Sequence, residues 1–438
     1  MFAPLYTADE MRAAEQGHDV DAMMERAGRA VADAVLRRFP EARRIAAVCG
    51  KGANGGDGRI ALRLLADAGR ETGEELEGAE VIIDALFGTG FHGAPRGDAA
   101  RLIERINAAQ APVVAVDLPS GVDASTGEIA GAVVAAEVTV TMHAPKVGLA
   151  VAPGRLHAGE VEVADIGIEA GETRNHLVTE AILRLVPRKR AGDTKYSAGS
   201  VLVVGGSPGM SGALCLAAEA AFRADAGYVA VATHAESLPV VEARLLEAVK
   251  APLSGLDRLA ERASAVAVGP GLGRAEEERA LVRRLLHDLD VPMVVDADAL
   301  FELEPGDWPA PRVLTPHAGE LARLLGKESD WVDAHRLEAV GAAVERFGCV
   351  VLLKGVDTLV AAPGEGVLVS DSGRPALATA GTGDVLTGVT AAFLAKGMDA
   401  RLAAAAAAFA HGRAAQLVPH ERGVIASDVV AALPHALP

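Results

Sequence analysis

Apolar, β-branched runs alternate with helix-length patterns along almost the whole chain, and this rhythm limits the fold more tightly than any other feature. Strands buried on both faces read as continuous Val, Ile and Ala runs, and when helices separate them they form parallel sheets covered by helices. In the N-terminal part such runs fall near Arg44–Cys49, Val81–Asp84, Val113–Asp117 and Val133–Thr141, after helices at about Thr7–Gly17 and Ala22–Phe39. All but the last end in a glycine turn or a carboxylate, at the sheet edge where open α/β folds bind ligands. A second series occupies Ser200–Val204, Tyr228–Thr233, Ala265–Val268, Pro292–Asp296, Val313–Leu314, Val350–Lys354 and Asp357–Ala362. Between Gly167 and Tyr196 the pattern lapses, apart from one amphipathic piece at Glu180–Leu185. A chain of 438 residues exceeds what one core usually serves, so two α/β domains, 1–175 and 176–438, are expected.

Composition narrows the partners. A net charge of −17 opposes a polyanion-binding surface, so no nucleic-acid partner is expected. Cys49, Cys215 and Cys349 have no paired spacing, which fits buried thiols in a reducing compartment and excludes a disulfide framework or a cysteine-based zinc site. The N-terminus has no signal-type run, and Ala403–Ala408 is too short to span a bilayer. The expectation is a cytoplasmic homo-oligomer with no membrane partner, acting on small-molecule nucleotides.

Residues 378–388, Ala-Thr-Ala-Gly-Thr-Gly-Asp-Val-Leu-Thr-Gly, place Asp384 behind a glycine turn at the start of an apolar helix reaching about Lys396. Free N–H groups and the helix dipole favour an anion there. Asp384 would take a proton from a hydroxyl while Gly381, Thr382 and Gly383 stabilise charge on a transferring phosphoryl group. A glycine-rich cap is the plainer alternative. Earlier in the chain, Gly50-Lys-Gly-Ala-Asn-Gly-Gly-Asp-Gly58 follows a strand and precedes a helix expected at Arg59–Ala68, matching neither of the common phosphate-loop spacings. Two further strand ends carry Asp84 and Asp117, the latter followed by Leu-Pro-Ser120-Gly. The oxygens of Asn54, Asp84 and Ser120 suit a hard cation, leaving Asp117 free for proton transfer.

Taken together, these segments resemble the bifunctional NAD(P)H-hydrate repair enzymes, which join a hydrate epimerase to a nucleotide-dependent dehydratase. In the first half the likeness rests on Leu5-Tyr-Thr-Ala-Asp-Glu-Met, Met24-Glu-Arg-Ala-Gly28, the glycine loop, Asp84-Ala-Leu-Phe-Gly-Thr-Gly90, Val116-Asp-Leu-Pro-Ser-Gly-Val-Asp123 and Pro145-Lys-Val-Gly-Leu149. The resemblance implies a Rossmann-like three-layer domain, potassium on Asn54, Asp84 and Ser120, and a hydrated cofactor held by Ala53, Asn54, Gly55, Gly56, Asp57, Gly88, Thr89, Gly90, Phe91, His92, Gly93, Ala94 and Asp117. Asp117 is the candidate for assisting loss and return of the ring hydroxyl. Lys146 is a weaker candidate, expected to face solvent. Two departures stand out. Ala53 replaces the first of two adjacent asparagines, and the short Gly69–Gly78 stretch suggests a missing sheet strand.

In the second half the likeness rests on Gly205-Gly-Ser-Pro-Gly-Met-Ser-Gly-Ala213, Gly269-Pro-Gly-Leu-Gly273, Leu314-Thr-Pro-His-Ala-Gly-Glu320, Leu353-Lys-Gly-Val-Asp-Thr358 and the Asp384 segment. It implies a ribokinase-like α/β domain in which Ala213, Gly271, His317 and Asp384 face the hydrated nicotinamide. Lys354, Gly355, Val356, Asp357, Thr358 and Gly383 would hold the nucleotide. The implied reaction phosphorylates the hydroxyl of an NADH or NADPH hydrate from ADP, with magnesium on the phosphates, and then expels phosphate. A kinase of a small alcohol or vitamin precursor, carrying a non-catalytic first domain, is the rival.

Overall fold

The computed structural model describes residues 2–169 and 171–438. After an opening strand, β1 (Phe2–Leu5), the chain forms two compact units, one chiefly Pro4–Asn175 and the other chiefly His176–Val332 with Leu337–Pro438.

In the first unit, β2 (Arg44–Cys49), β3 (Glu71–Gly73), β4 (Val81–Ala85), β5 (Val113–Val116), β6 (Val138–Met142) and β7 (Glu160–Ala164) make a wholly parallel sheet ordered β3-β2-β4-β5-β6-β7. Side chains alternate between faces along each strand. Ile45, Ala47, Val81 and Ile83 therefore pack on Val31, Val35, Ala61 and Leu65 of the helices Val20–Arg38 and Ala53–Asp67. Ala46, Val48 and Ile82 pack instead on Ile103 and Ile106 of the helix Asp98–Ala108. The result is the three-layer, Rossmann-like arrangement. On the first face the two helices meet closely at Gly28, where an added Cβ would stand 2.4 Å from Ile60 Cγ2.

The second unit carries β8 (Asn175–Val178), β9 (Ser200–Val204), β10 (Tyr228–Thr233), β11 (Val249–Pro252), β12 (Ala265–Val268), β13 (Met293–Val295), β14 (Arg312–Leu314), β15 (Val350–Leu353), β16 (Thr358–Ala361) and β17 (Leu368–Ser370). They run β8-β17-β16-β15-β14-β13-β12-β9-β10-β11, parallel except where β16 meets its two neighbours. Val201, Val203, Val229 and Val231 face a core shared with the helices Ser211–Arg223, Thr382–Ala395, Ala400–Leu417 and Ala426–Ala436. Alanine supplies most of that helical surface, which allows close approach, with the Phe393 ring fully buried among it.

Three expectations change. The strand thought missing exists as β3, which pairs Arg44 with Glu71 and Ala46 with Gly73. Three residues suffice because Gly69, at φ +82°, turns the chain straight out of the preceding helix. The strand expected at Val133–Thr141 begins only at Val138, because the Val134 and Ala136 amides donate to the Ser120 and His157 carbonyls. The glycine loop is also shorter than supposed, since its helix starts at Ala53.

Candidate active sites

The sheet order locates both sites. In the first unit the chain passes from β2 outward to β3 and returns to β4 on the other side, so the crevice between the β2 and β4 ends is a topological switch point. A cavity of about 1110 Å³ opens there. Its floor is the first turn of the helix Ala53–Asp67, which lies tightly on the end of β2: a Cβ at Gly55 would come within 1.9 Å of the Gly50 carbonyl. Asn54 Nδ2 donates to the Phe87 carbonyl at 2.9 Å. Ser120 Oγ accepts from the Phe87 amide at 2.9 Å and donates to Asp84 Oδ1 at 2.6 Å, while the Ser120 amide donates to Asp84 Oδ2 at 2.7 Å. Asn54, Asp84 and Ser120 thus gather around one backbone segment. Asp84 is fully buried, and burial outweighs the Ser120 bonds to push its carboxyl up to about 6.

Asp117 sits at φ +67°, left-handed backbone that a non-glycine residue adopts only when its surroundings hold it. Its carboxylate accepts from Lys146 Nζ at 2.5 Å, Thr89 Oγ1 at 2.5 Å, Thr141 Oγ1 at 3.2 Å and the Met142 amide at 3.3 Å. Burial works against its charge, yet Lys146 and these donors hold it below the usual carboxylate range. Lys146 is itself wholly buried and also donates to Thr141 Oγ1 and the Met142 carbonyl. Both expectations for this pair are corrected: Lys146 does not face solvent, and Asp117 is not a free base but half of a buried ion pair. The remaining wall includes Phe87 and Phe91, stacked with centroids 4.5 Å apart, and His92, whose Nδ1 lies 2.9 Å from Asp123 Oδ2.

In the second unit the switch point falls between β9 and β12. The loops leaving these strands are bonded together, with the Gly206 amide on the Pro270 carbonyl at 3.0 Å and the Ser207 amide on the Gly271 carbonyl at 2.6 Å. Gly271, at φ +59°, lies so near Met210 that a Cβ would meet its carbonyl at 2.5 Å. Next along the same edge, β13 leads to Asp296, β14 to His317 and β15 to Lys354. Lys354 Nζ contacts Asp296 Oδ1 at 2.8 Å and lies 3.9 Å from Glu320 Oε2. Burial disfavours its charge, but Asp296 and Glu320 keep it above its ordinary value.

The Asp384 turn completes this edge. Gly381, left-handed at φ +90°, precedes the helix Thr382–Ala395, and no side chain caps it. The position where a Gly383 Cβ would stand is 3.5 Å from Lys354 Nζ, so the ammonium and the helix start face one place. Asp384 occupies the third helical position and does not cap the turn. Burial, then the Asp296 charge, push its carboxyl up to about 7, with Lys354 pulling the other way. A poised base, an ammonium and a free helix start are the parts phosphoryl transfer requires.

The family model described as NAD(P)H-hydrate dehydratase matches residues 201–435, and that of the YjeF-related protein N-terminus matches residues 20–73 and 69–148. A bifunctional NAD(P)H-hydrate repair enzyme of Moorella thermoacetica is 38% identical, covering 95% of this chain and 92% of that protein. One from Pyrobaculum aerophilum is 39% identical over 95% of this chain and 93% of its own. The chain belongs to the bifunctional NAD(P)H-hydrate repair enzyme family. The crystal structure of the ADP/ATP-dependent NAD(P)H-hydrate dehydratase of Bacillus subtilis, co-crystallised with ATP and magnesium, is 30% identical, with a TM-score of 0.55 over 59% of this chain and 96% of that one. A ribokinase-like superfamily protein of Enterococcus faecalis, 24% identical at a TM-score of 0.55 over 61% of this chain and 97% of its own, shares the fold.

Within this repair-enzyme scaffold the residues expected from sequence separate cleanly. Ala53, Asn54, Asp57, Gly88, Thr89, Gly90, Phe91, His92 and Asp117 line the first cavity, whereas Gly55, Gly56, Gly93 and Ala94 lie outside its lining. Gly56 packs instead beneath Met24, whose Cε would stand 2.1 Å from an added Cβ. In the second unit Lys354, Gly383 and Asp384 come together, and Ala213 lies in the first turn of the helix that follows the Gly205 loop. His317 spends Nδ1 on the Gly319 amide as a helix cap, with Nε2 3.5 Å from Glu320. Val356 is exposed beyond Gly355, while Asp357 is buried. Sequence reasoning missed Glu15 and Met24 in the first cavity and Asp296 in the second site, although Asp296 ends a strand as the chosen carboxylates do.

Proposed function

We propose that this chain restores hydrated NADH and NADPH in two steps, epimerising the R and S hydrates in the first unit and dehydrating the S hydrate in the second with ADP as phosphoryl donor. The observation that carries the reading is the Asp384 turn: a half-buried carboxyl poised near 7, one position past Gly383, with Lys354 facing the same helix start. Near-full-length likeness to bifunctional repair enzymes supports this reading over a small-alcohol kinase.

In the dehydration, Asp384 takes the proton of the ring hydroxyl as its oxygen attacks the terminal phosphate. Amides of Gly383 and its neighbours receive the charge that develops, and Lys354, oriented by Asp296, neutralises the phosphates. Phosphate then leaves from carbon and a ring proton is lost, giving NAD(P)H, AMP and phosphate. Magnesium, where bound, neutralises phosphate oxygens. Among the described residues no group of three or more His, Cys, Asp or Glu could hold a metal ion, a donor set that suits a cation carried mainly by phosphates and water. In the first unit Asn54, Asp84 and Ser120 offer one carboxylate among neutral oxygens, which fits a singly charged hard cation, potassium in our reading. The hydrated ring would lie against Phe87 and Phe91, near Asp117. Free cysteines support a cytoplasmic location, and among the described residues no helix is long and apolar enough to cross a membrane. Self-association into a homo-oligomer is tested by sedimentation.

The deciding experiment incubates the full chain with mixed NADH hydrates, ADP and magnesium, following reduced-nicotinamide absorbance together with AMP. Complete recovery, faster than spontaneous epimerisation, is expected. Recovery that stalls once the S hydrate is consumed removes the epimerase assignment, and no recovery with ADP or ATP removes the dehydratase assignment.

A further inference from the structure

We propose that Asp57 is the proton donor and acceptor of the epimerising site, a role that rests on reading the first unit as a hydrate epimerase. Asp57 projects from the second turn of the helix Ala53–Asp67, is 7% exposed and lines the same cavity as Asp117. Its Oδ1 is buried with no hydrogen-bond partner among the described residues. A buried carboxyl oxygen without a partner is costly and calls for a function.

Three of the other carboxylates nearby are committed. Asp117 is fixed as an anion by Lys146, Thr89, Thr141 and the Met142 amide, and Asp84 is taken up by Ser120 and the Leu86 amide. Asp98, on the rim, pairs with Arg101. Glu15 also lines the cavity, but from a more open position. The charged and titratable groups that line the cavity with Asp57 are Arg12, Glu15, Cys49, Lys51, His92, Asp98, Asp117 and Lys146. Burial, then the charges of Asp117 and Glu15, push the Asp57 carboxyl up to about 7, so at lower pH it stands protonated beside a permanent anion. Two carboxylates held in opposite protonation states in one cavity mark an acid and a charge stabiliser.

The step balances without a co-reactant. Asp57 gives its proton to the ring hydroxyl, and the carbon–oxygen bond breaks as the ring nitrogen's lone pair forms a carbon–nitrogen double bond, releasing water. The Asp117 carboxylate offsets the cation thus formed. Water adds to the opposite face, and the Asp57 carboxylate takes back the proton that this addition releases.

The test uses the full chain and purified R hydrate without nucleotide, so that dehydration is idle, and follows the R:S ratio by chromatography. Asp57→Asn should lower the epimerisation kcat at least about 100-fold with little change in KM, while ADP-dependent dehydration of S hydrate proceeds at the wild-type rate. Wild-type kcat/KM should fall about tenfold per pH unit above about 7, and the variant should lose that limb. A variant within a few-fold of wild type, or one keeping the alkaline limb, overturns the role of Asp57. Should the variant lose dehydration as well, the wild-type profile decides, and absence of the alkaline limb overturns the proposal. A wild-type chain no faster than buffer overturns the epimerase reading beneath it.

Discussion

Asp384 and Lys146 carry the sharpest expectations at the level of single residues. In the dehydration proposed above Asp384 is the base, so dehydration should rise with pH through about 7 as its carboxyl ionises, and Asp384→Asn should cost about 10²–10⁴ in kcat. A rate profile at saturating ADP checks both. Lys146→Met leaves Asp117 buried without its counter-charge, which typically destabilises by about 3–5 kcal/mol. Urea unfolding followed by a probe in the first unit should move by that amount, and epimerisation should be lost. Lys146 also marks where sequence reading stops. A lone lysine after proline carries no periodicity, and only the left-handed turn at Asp117 and the following strand β6 bring the two side chains together. Asp57 was legible as a loop residue, but not as an acid with a raised pKa, because part of that shift comes from the charges of Asp117 and Glu15, which arrive from elsewhere in the chain.

Strands and helices were legible where they are buried on both faces. β2, β4, β5, β9, β10, β12 and β15 read as apolar runs because both of their faces are covered, and β7 escaped because Glu-Val-Glu-Val-Ala, at the sheet edge, is mostly unburied and interrupted by glutamates. β3, Glu-Thr-Gly, and β11, Val-Lys-Ala-Pro, are largely unburied and carry no apolar run. Helix packing bears on function directly at Gly28, where the helix Val20–Arg38 crosses the one carrying Asn54 and Asp57. A Cβ there would also come within 2.9 Å of the Asp57 carbonyl. Gly28→Ala should therefore destabilise by about 1–3 kcal/mol through overpacking, against the small gain that alanine normally brings to a helix. Thermal unfolding gives the sign, and epimerisation should fall more than dehydration because the displaced helix belongs to the first cavity.

For the whole molecule, two carboxyls at about 7 set opposing limits. Asp57 works while protonated and Asp384 while ionised, so throughput from the R hydrate to NADH should peak near neutrality, limited by dehydration on the acid side and epimerisation on the alkaline side. Assaying each half-reaction separately across pH checks the assignment, because the limbs should part. Two domains were legible from the lapse between Gly167 and Tyr196, and the ends of their parallel strands drew attention to both sites. The crevices themselves became visible only with the strand order, which no local pattern encodes.

The burial of Asp384 also has a bearing on endurance. Its carboxyl ionises more readily in the unfolded chain than in the folded one, so folding stability falls as pH rises from about 4 to about 7, by on the order of 1–4 kcal/mol. Asp384→Asn should then melt with wild type near pH 4 and above it at pH 8, as differential scanning calorimetry would record. Heat resistance alone would favour an amide at this position, and the proton transfer proposed for Asp384 is what a carboxylate there would supply in exchange.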